Sequence, residues 1–298
     1  MRQPHINILG CGYIGKKLAT QLMEKKIYPR CFVHSRASER HCEALKLSVH
    51  RFDLDQADLA LDNKMKAEFM GSRIAYLVPP PRQGRQDSRM ANFIHTLKAS
   101  AQGVEKILLI STTGVYGDCK GEWIDENHAL NPQADRAHRR LSAETQLTDY
   151  CNSEGIPLII FRVPGIYAAD KLPVKRITSG EAIVRSADSG YSNRIHADDL
   201  VAFCEEALLS NIPPGIYNCC DGQPSTMHDY FIRVADALNL PPPAEIGLAQ
   251  AQQALSAGML SYLVESKRIS NKKLLKTFKT PLKYPDLQAG LKEVNINE

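Results

Sequence analysis

The chain has 298 residues, with 37 Lys and Arg against 33 Asp and Glu, 9 His, 8 Cys and 43% hydrophobic residues. This is an ordinary globular composition, which excludes a disordered, collagenous or coiled-coil protein. A formal net charge of +4 is too small to argue for nucleic-acid binding, and the short basic run from Arg136 to Arg140 is a weak basis for it. No stretch approaches the roughly 18 consecutive apolar residues that span a bilayer, and Met1 to His5 is too short and polar for a signal peptide. The sequence therefore reads as cytoplasmic, with neither a nucleic-acid nor a membrane partner.

Short apolar runs alternate with helical patterns through the first 165 residues, as expected of βαβ units in a parallel sheet. The expected strands are Ile6 to Leu9, Cys31 to His34, Val49 to Phe52, Ile74 to Val78, Ile107 to Ile110 and Leu158 to Phe161. Ile14, Leu18 and Leu22 fall on one face of a helix between the first two strands. Phe93, Ile94, Leu97 and Ala101 make the stripe of another, and Leu141 to Leu147 belongs to a third. After Pro164 the alternation breaks down, and Pro173, Pro213, Pro214, the Pro241-Pro242-Pro243 run, Pro281 and Pro285 punctuate shorter elements. One strand-like run, Gly215 to Cys219, is expected to rejoin the main sheet. The pattern is an α/β Rossmann-type doubly wound parallel sheet over residues 1–165. A smaller, interleaved substrate lobe over 166–298 follows, of which about 197–220 returns to the sheet.

The eight cysteines contain no CxxC pair and no Cys/His spacing suited to zinc, so no metal is expected. Gly10-Cys11-Gly12-Tyr13-Ile14-Gly15 stands directly after the first strand and opens the amphipathic helix. In that context Gly10, Gly12 and Gly15 let the backbone turn and approach a pyrophosphate. Tyr13 and Ile14 begin a helix whose free N–H groups attract anions. An acidic residue at the end of the second strand favours NAD by accepting from the ribose hydroxyls, but this sequence reads His34-Ser35-Arg36. Arg36 can clamp a 2′-phosphate, which favours NADP over NAD as the cofactor. Asp53, after the third strand, either accepts from the adenine amino group or caps a helix.

The fifth strand runs into Ser111-Thr112-Thr113-Gly114-Val115-Tyr116-Gly117. Later come Phe161-Arg162-Val163-Pro164-Gly165-Ile166-Tyr167, Arg194-Ile195-His196-Ala197-Asp198-Asp199-Leu200 and Gly215-Ile216-Tyr217-Asn218. With the glycine turn, these stretches resemble the extended short-chain dehydrogenase/reductase superfamily, the NAD-dependent epimerase/dehydratase family. Within it they resemble the atypical YeeZ-like branch, whose fourth strand ends in a proline-rich segment, here Pro79-Pro80-Pro81. The resemblance covers essentially the whole chain and places Pro79 beside the cofactor.

It also implies a catalytic trio of Ser or Thr, Tyr and Lys, the last two spaced YxxxK. Thr112 matches the hydroxyl residue. Leu141-Ser142-Ala143-Glu144 resembles the segment after the Lys, which puts Arg140 at the Lys position and Arg136 at the Tyr position. An arginine neither accepts a hydrogen bond nor gives up its proton, so Arg136 does not replace a phenolate. Arg140 either bonds the cofactor ribose or lies on the helix surface. Tyr116, His138, Tyr167 and His196 remain as candidate proton carriers, with packing for Tyr116 and a turn before a helix capped by Asp198 for His196 as their structural alternatives. The positions that hold a nucleotide-sugar diphosphate in the family are Gly165 and Ser192 here, while Lys175, Arg176, Arg185 and Arg194 leave the second lobe basic. Two readings follow. One is an NADP-dependent reductase, epimerase or dehydratase acting on a small oxygenated, mildly anionic substrate. The other is a catalytically silent NADP-binding sensor. A homodimer is compatible with either.

Overall fold

The computed structural model describes residues 4–56, 67–100, 103–254 and 265–294. Five strands come first: β1 (His5–Leu9), β2 (Arg30–Val33), β3 (Ser48–Arg51), β4 (Ser72–Tyr76) and β5 (Lys106–Thr112). They are joined by β6 (Leu158–Val163) and, much later in the chain, β10 (Gly215–Asn218). The seven form one parallel sheet in the order β3-β2-β1-β4-β5-β6-β10. The order reverses direction at β1, so a crevice opens beyond the carboxyl ends of β1 and β4, where open α/β sheets bind their ligands.

Helices cover both faces. Against one lie α1 (Tyr13–Glu24) and α5 (Ala197–Leu209), which bury Leu18, Leu22, Leu200 and Phe203 with Ile8, Leu108 and Phe161 of the sheet. Against the other lie α3 (Ser88–Ser100) and α4 (Asp135–Glu154), which bury Phe93, Leu97 and Leu147 with Ile74, Leu109 and Ile160. Between β2 and β3 runs α2 (Arg36–Ala44). Strands buried on both faces read as continuous apolar runs, which is why alternation locates them.

The observed strand ends lie within two residues of the expected ones. β4 stops at Tyr76 rather than Val78, because the chain then enters Pro79-Pro80-Pro81, which has no N–H to continue a ladder. α4 begins at Asp135, well before the apolar stripe, on a polar first turn. Of the stripe expected in α3, Ala101 lies outside the described residues.

Beyond β6 the chain forms a third apolar cluster around Tyr167, Ile177, Tyr230, Phe231 and Leu291. Here β7 (Gly165–Tyr167) pairs in parallel with β9 (Arg194–His196), and β8 (Tyr191–Ser192) pairs antiparallel with β11 (Ser225–Thr226), which leads into α6 (Met227–Ala237). No helix among the described residues is long and apolar enough to cross a membrane.

One charged pair ties β5, β6 and α4 together inside the protein. Arg162 is 2% exposed, and its Nη2 donates to Glu144 Oε2 at 2.7 Å. Ser111 Oγ donates to Glu144 Oε1 at 2.5 Å. Removing one member of such a pair leaves an uncompensated charge in a low-dielectric interior. Glu144→Gln should therefore lower unfolding stability by about 3 kcal/mol, read from the denaturant midpoint. A loss below about 1 kcal/mol, the ceiling for exposed pairs, would show the pair to be replaceable.

Candidate functional site: a dinucleotide cleft at the carboxyl ends of the strands

The glycine turn after β1 fits against the backbone just past the end of β4. Gly10 has φ +83°, and a Cβ there would lie 2.7 Å from Val78 N, so both the dihedral and the space demand glycine. A Cβ on Gly15 would lie 2.9 Å from Gly10 O, whereas at Gly12 the nearest atom is 3.9 Å away. The turn is thus packed beneath and open above. Gly12 is the N-cap of α1, no side chain caps the helix, and its first turn carries no acid. The first N–H groups of a twelve-residue helix therefore face the crevice with positive partial charge, an arrangement that fits a pyrophosphate. The Tyr13 side chain turns toward the smaller cluster, where its Oη donates to Asp170 Oδ1 at 2.5 Å.

Beside the turn is a cavity of about 270 Å³, lined by Gly10, Gly12, His34, Asp53, Pro79 and Arg89, with Phe52, Leu54 and Val78 giving it an apolar interior. Its composition suits an adenosine moiety, with apolar walls and a few convergent polar groups. Arg89 is held in the wall by four hydrogen bonds. Nε and Nη2 donate to the two carboxylate oxygens of Asp55 at 2.6 Å each, and Nη1 donates to Pro79 O at 2.9 Å and Pro80 O at 3.4 Å. The hydrogen bonds from Arg89 hold the Asp55 carboxyl below its usual range.

Asp53 serves a local turn and the cavity together. Its Oδ1 accepts from Asp55 N at 2.9 Å and lies 3.0 Å from His34 Nδ1. His34, Asp53 and Asp55 are the one group among the described residues whose spacing could suit a metal ion, and Asp55 is already engaged by Arg89. Ser35 caps α2 by accepting from Ser38 N at 3.2 Å. Arg36, the first residue of α2, is exposed and does not line the cavity, although His34 and Ser38 beside it do.

At the ends of β4 and β5 stand the candidates for chemistry. Thr112 is half-buried, and its Oγ1 accepts from Gly114 N at 3.2 Å, which leaves the hydroxyl proton to donate. α4 packs on this turn, since a Cβ on Gly114 would lie 3.6 Å from both Ala137 Cβ and Thr112 Oγ1. Arg140, one turn along from Arg136, is not a solvated surface residue: its Nη1 donates to Val78 O at 3.0 Å. Burial lowers its pKa, partly offset through space by Asp87, Tyr76 and Glu144. Arginine nonetheless stays charged, so a fixed cation stands at the crevice.

The other candidates are committed elsewhere. Tyr116, included among the expected catalytic residues, is 1% exposed, and its Oη donates to Asn218 Oδ1 at 2.7 Å. Burial pushes its pKa up to about 12, so the correction is from proton carrier to structural tie between the Thr113–Tyr116 turn and β10. Tyr167 is buried and donates to Asp286 O at 3.1 Å. His196 is itself the N-cap of α5: its Nδ1 accepts from Asp198 N at 3.2 Å, which reverses the expected capping by Asp198. His138 lies two residues from both Arg136 and Arg140, about 200° around the helix from each, so it faces away from the edge they share. Arg89 and the Tyr13–Asp170 bond carry no sequence signal, because each depends on a partner distant in the chain.

The comparisons agree with this fold. The model of the NAD dependent epimerase/dehydratase family matches residues 6–220. The chain belongs to that family. A relative within reach is Protein YeeZ of Escherichia coli K12, 24% identical over 273 residues that cover 89% of this chain and 93% of YeeZ. Among solved structures, a functionally unknown conserved protein from Silicibacter pomeroyi superposes with a TM-score of 0.80 at 24% identity, covering 98% of each chain. The UDP-glucuronic acid 4-epimerase of Bacillus cereus, solved in complex with NAD, superposes with a TM-score of 0.74 at 16% identity, covering 97% of this chain and 96% of that one. The family member described here thus keeps the dinucleotide fold while presenting Arg136 and Arg140 where the resemblance places Tyr and Lys.

If Tyr116 is a tie rather than a proton carrier, Tyr116→Phe should strand Asn218 Oδ1 and lower stability by about 1–3 kcal/mol. The affinity for a nicotinamide dinucleotide should stay within about twofold. Unchanged stability with a lost dinucleotide site would place Tyr116 in the cleft after all.

Proposed function

We propose that the protein is an NADP-dependent oxidoreductase of its family, acting on a small oxygenated substrate that carries negative charge. The observation that carries the reading is the rim of the adenosine cavity. At the end of β2, where an acid selects NAD, stand His34, Ser35 and Arg36, and Asp53, a carboxylate lining the cavity, lies against His34. An exposed guanidinium on the first turn of α2, beside a hydroxyl-bearing N-cap, offers a 2′-phosphate both charge and directed donors.

Bound NADP supplies hydride exchange at the nicotinamide. The chain's own residues do the rest. The glycine turn holds the pyrophosphate, Arg140 presents a fixed positive charge at the crevice, and Thr112 donates its hydroxyl proton in a hydrogen bond that polarises the substrate oxygen. Arg136 at the tyrosine position favours the second reading, a silent NADP-binding regulatory protein, because no guanidinium exchanges a proton near neutrality. Consumption of NADPH with a panel of small carbonyl acids separates the two, since a sensor binds the dinucleotide and turns nothing over.

Calorimetric titration with NADPH and NADH tests the cofactor directly. NADPH should bind more tightly, and Arg36→Ala should weaken it roughly 10- to 100-fold, the worth of a charged hydrogen bond, while NADH changes within about twofold. Equal effects on both nucleotides would remove Arg36 from the site, and binding of neither below millimolar concentration would remove the cofactor.

A further inference from the structure

All eight cysteines are free and buried, and three of them meet beneath the glycine turn. Cys11, Cys31 and Cys42 are at most 2% exposed and share one apolar cluster. Cys42 Sγ donates to Cys11 O at 3.8 Å, and the Cys11 thiol hydrogen-bonds with those of Cys31 and Cys42. Packing alone needs no sulfur here, since an apolar side chain fills the same space, whereas adjacent thiols can be joined by the loss of two electrons.

The three thiols do not stand on an equal footing. Cys31 is inside β2, with Ile8 of β1 and Val49 of β3 as its register partners, so a ladder on each side fixes its backbone. Cys42 is the one buried residue of α2, which leaves that helix free to shift. It lies one turn beyond Ser38, which lines the cavity beside the glycine turn. Cys11 lines the same cavity, between Gly10 and Gly12. A small oxidant entering that cavity therefore reaches Cys11 first, with Cys42 next to it. A disulfide draws two sulfurs from contact to about 2 Å. Gly10, the neighbour of Cys11, has no slack to absorb the pull, since a Cβ there would lie 2.7 Å from Val78 N. The bond would displace either Cys11, between two glycines of the turn, or α2, whose first turn carries the Ser35 cap and Arg36.

We propose that Cys11 and Cys42 are a peroxide-responsive disulfide site, and that closing the bond shuts the dinucleotide cleft. The effect on binding rests on the cofactor reading given above. Hydrogen peroxide takes the Cys11 thiol to a sulfenic acid with release of one water, and Cys42 Sγ then displaces the sulfenic oxygen as a second water. Two thiols and one peroxide thus give one disulfide and two waters, the sulfurs losing two electrons to the peroxide oxygens. Hydrogen bonding to Cys31, with burial behind it, holds the Cys11 thiol above the ordinary range, and burial pushes Cys42 up to about 12. Both are protonated at neutral pH, so the reaction is slow, and the pair answers sustained peroxide rather than a brief pulse. A bound dinucleotide fills the cavity and fixes the turn, so cofactor and oxidant oppose each other.

The test treats the full chain with millimolar hydrogen peroxide, with and without saturating NADPH, then maps disulfide-linked peptides under non-reducing conditions and titrates NADPH. Wild type without nucleotide should yield a link between Cys11 and Cys42, and NADPH should slow its formation at least about fivefold. The linked protein should bind NADPH at least about tenfold more weakly. Dithiothreitol should restore the affinity, which sets the disulfide apart from irreversible oxidation. Cys42→Ala should bind NADPH within about twofold of wild type and keep that affinity through peroxide. No link between the two, a link from Cys11 to Cys31 instead, or an equal loss of affinity in Cys42→Ala overturns the proposal. Should Cys42→Ala fail to fold, the wild-type map and the dithiothreitol reversal decide. If untreated protein does not bind NADPH, the cofactor reading fails while the map still decides the disulfide. NADPH affinity untouched by a fully formed link sinks the switch alone.

Discussion

The close passage of Gly10 over the end of β4 governs the site. With only 2.7 Å between a Gly10 Cβ position and Val78 N, no other residue lets the β1 turn settle against its neighbour strand. That contact sets α1 with its uncapped N-terminus over the crevice. It also brings Val78 and Pro79 into the wall of the cavity beside the turn. Arg140 and Arg89 then close the same edge by donating to Val78 O and Pro79 O. The carbonyls at the end of β4, freed from the sheet where the ladder stops, become the acceptors that position two cations at the cleft.

Three guanidiniums show how one side chain serves different ends according to its partners. Arg162 is neutralised by Glu144 and stiffens the joint between β5, β6 and α4. Arg89 is neutralised by Asp55 and becomes a wall of the cavity. Arg140 bonds a neutral carbonyl and keeps its field for the crevice. A bidentate carboxylate turns an arginine into scaffold, while a neutral acceptor leaves its charge available to a ligand.

The strands of the sheet and the glycine turn were legible in the sequence because each is written in local pattern. Buried parallel strands make continuous apolar runs, and a strand–glycine–helix passage is contiguous. The start of β4 at Ser72-Arg73 was not legible, since a polar strand end gives no apolar signal. Tyr116 stood in a motif that shows a hydroxyl but not its direction, and that direction is fixed by Asn218, far along the chain in β10. His196 and Asp198 exchanged capping roles because the imidazole, one residue before the helix, reaches the Asp198 N–H. The partner of Arg89 is likewise decided by tertiary packing, which no local spacing encodes.

A crystal structure of the protein grown with NADPH tests the central claim most directly. The account predicts the pyrophosphate against the N–H groups of Tyr13, Ile14 and Gly15, the adenine in the cavity between Phe52, Leu54 and Arg89, and the 2′-phosphate within hydrogen-bond reach of Arg36. A dinucleotide bound elsewhere, or an adenosine cavity left to solvent at millimolar NADPH, would contradict it.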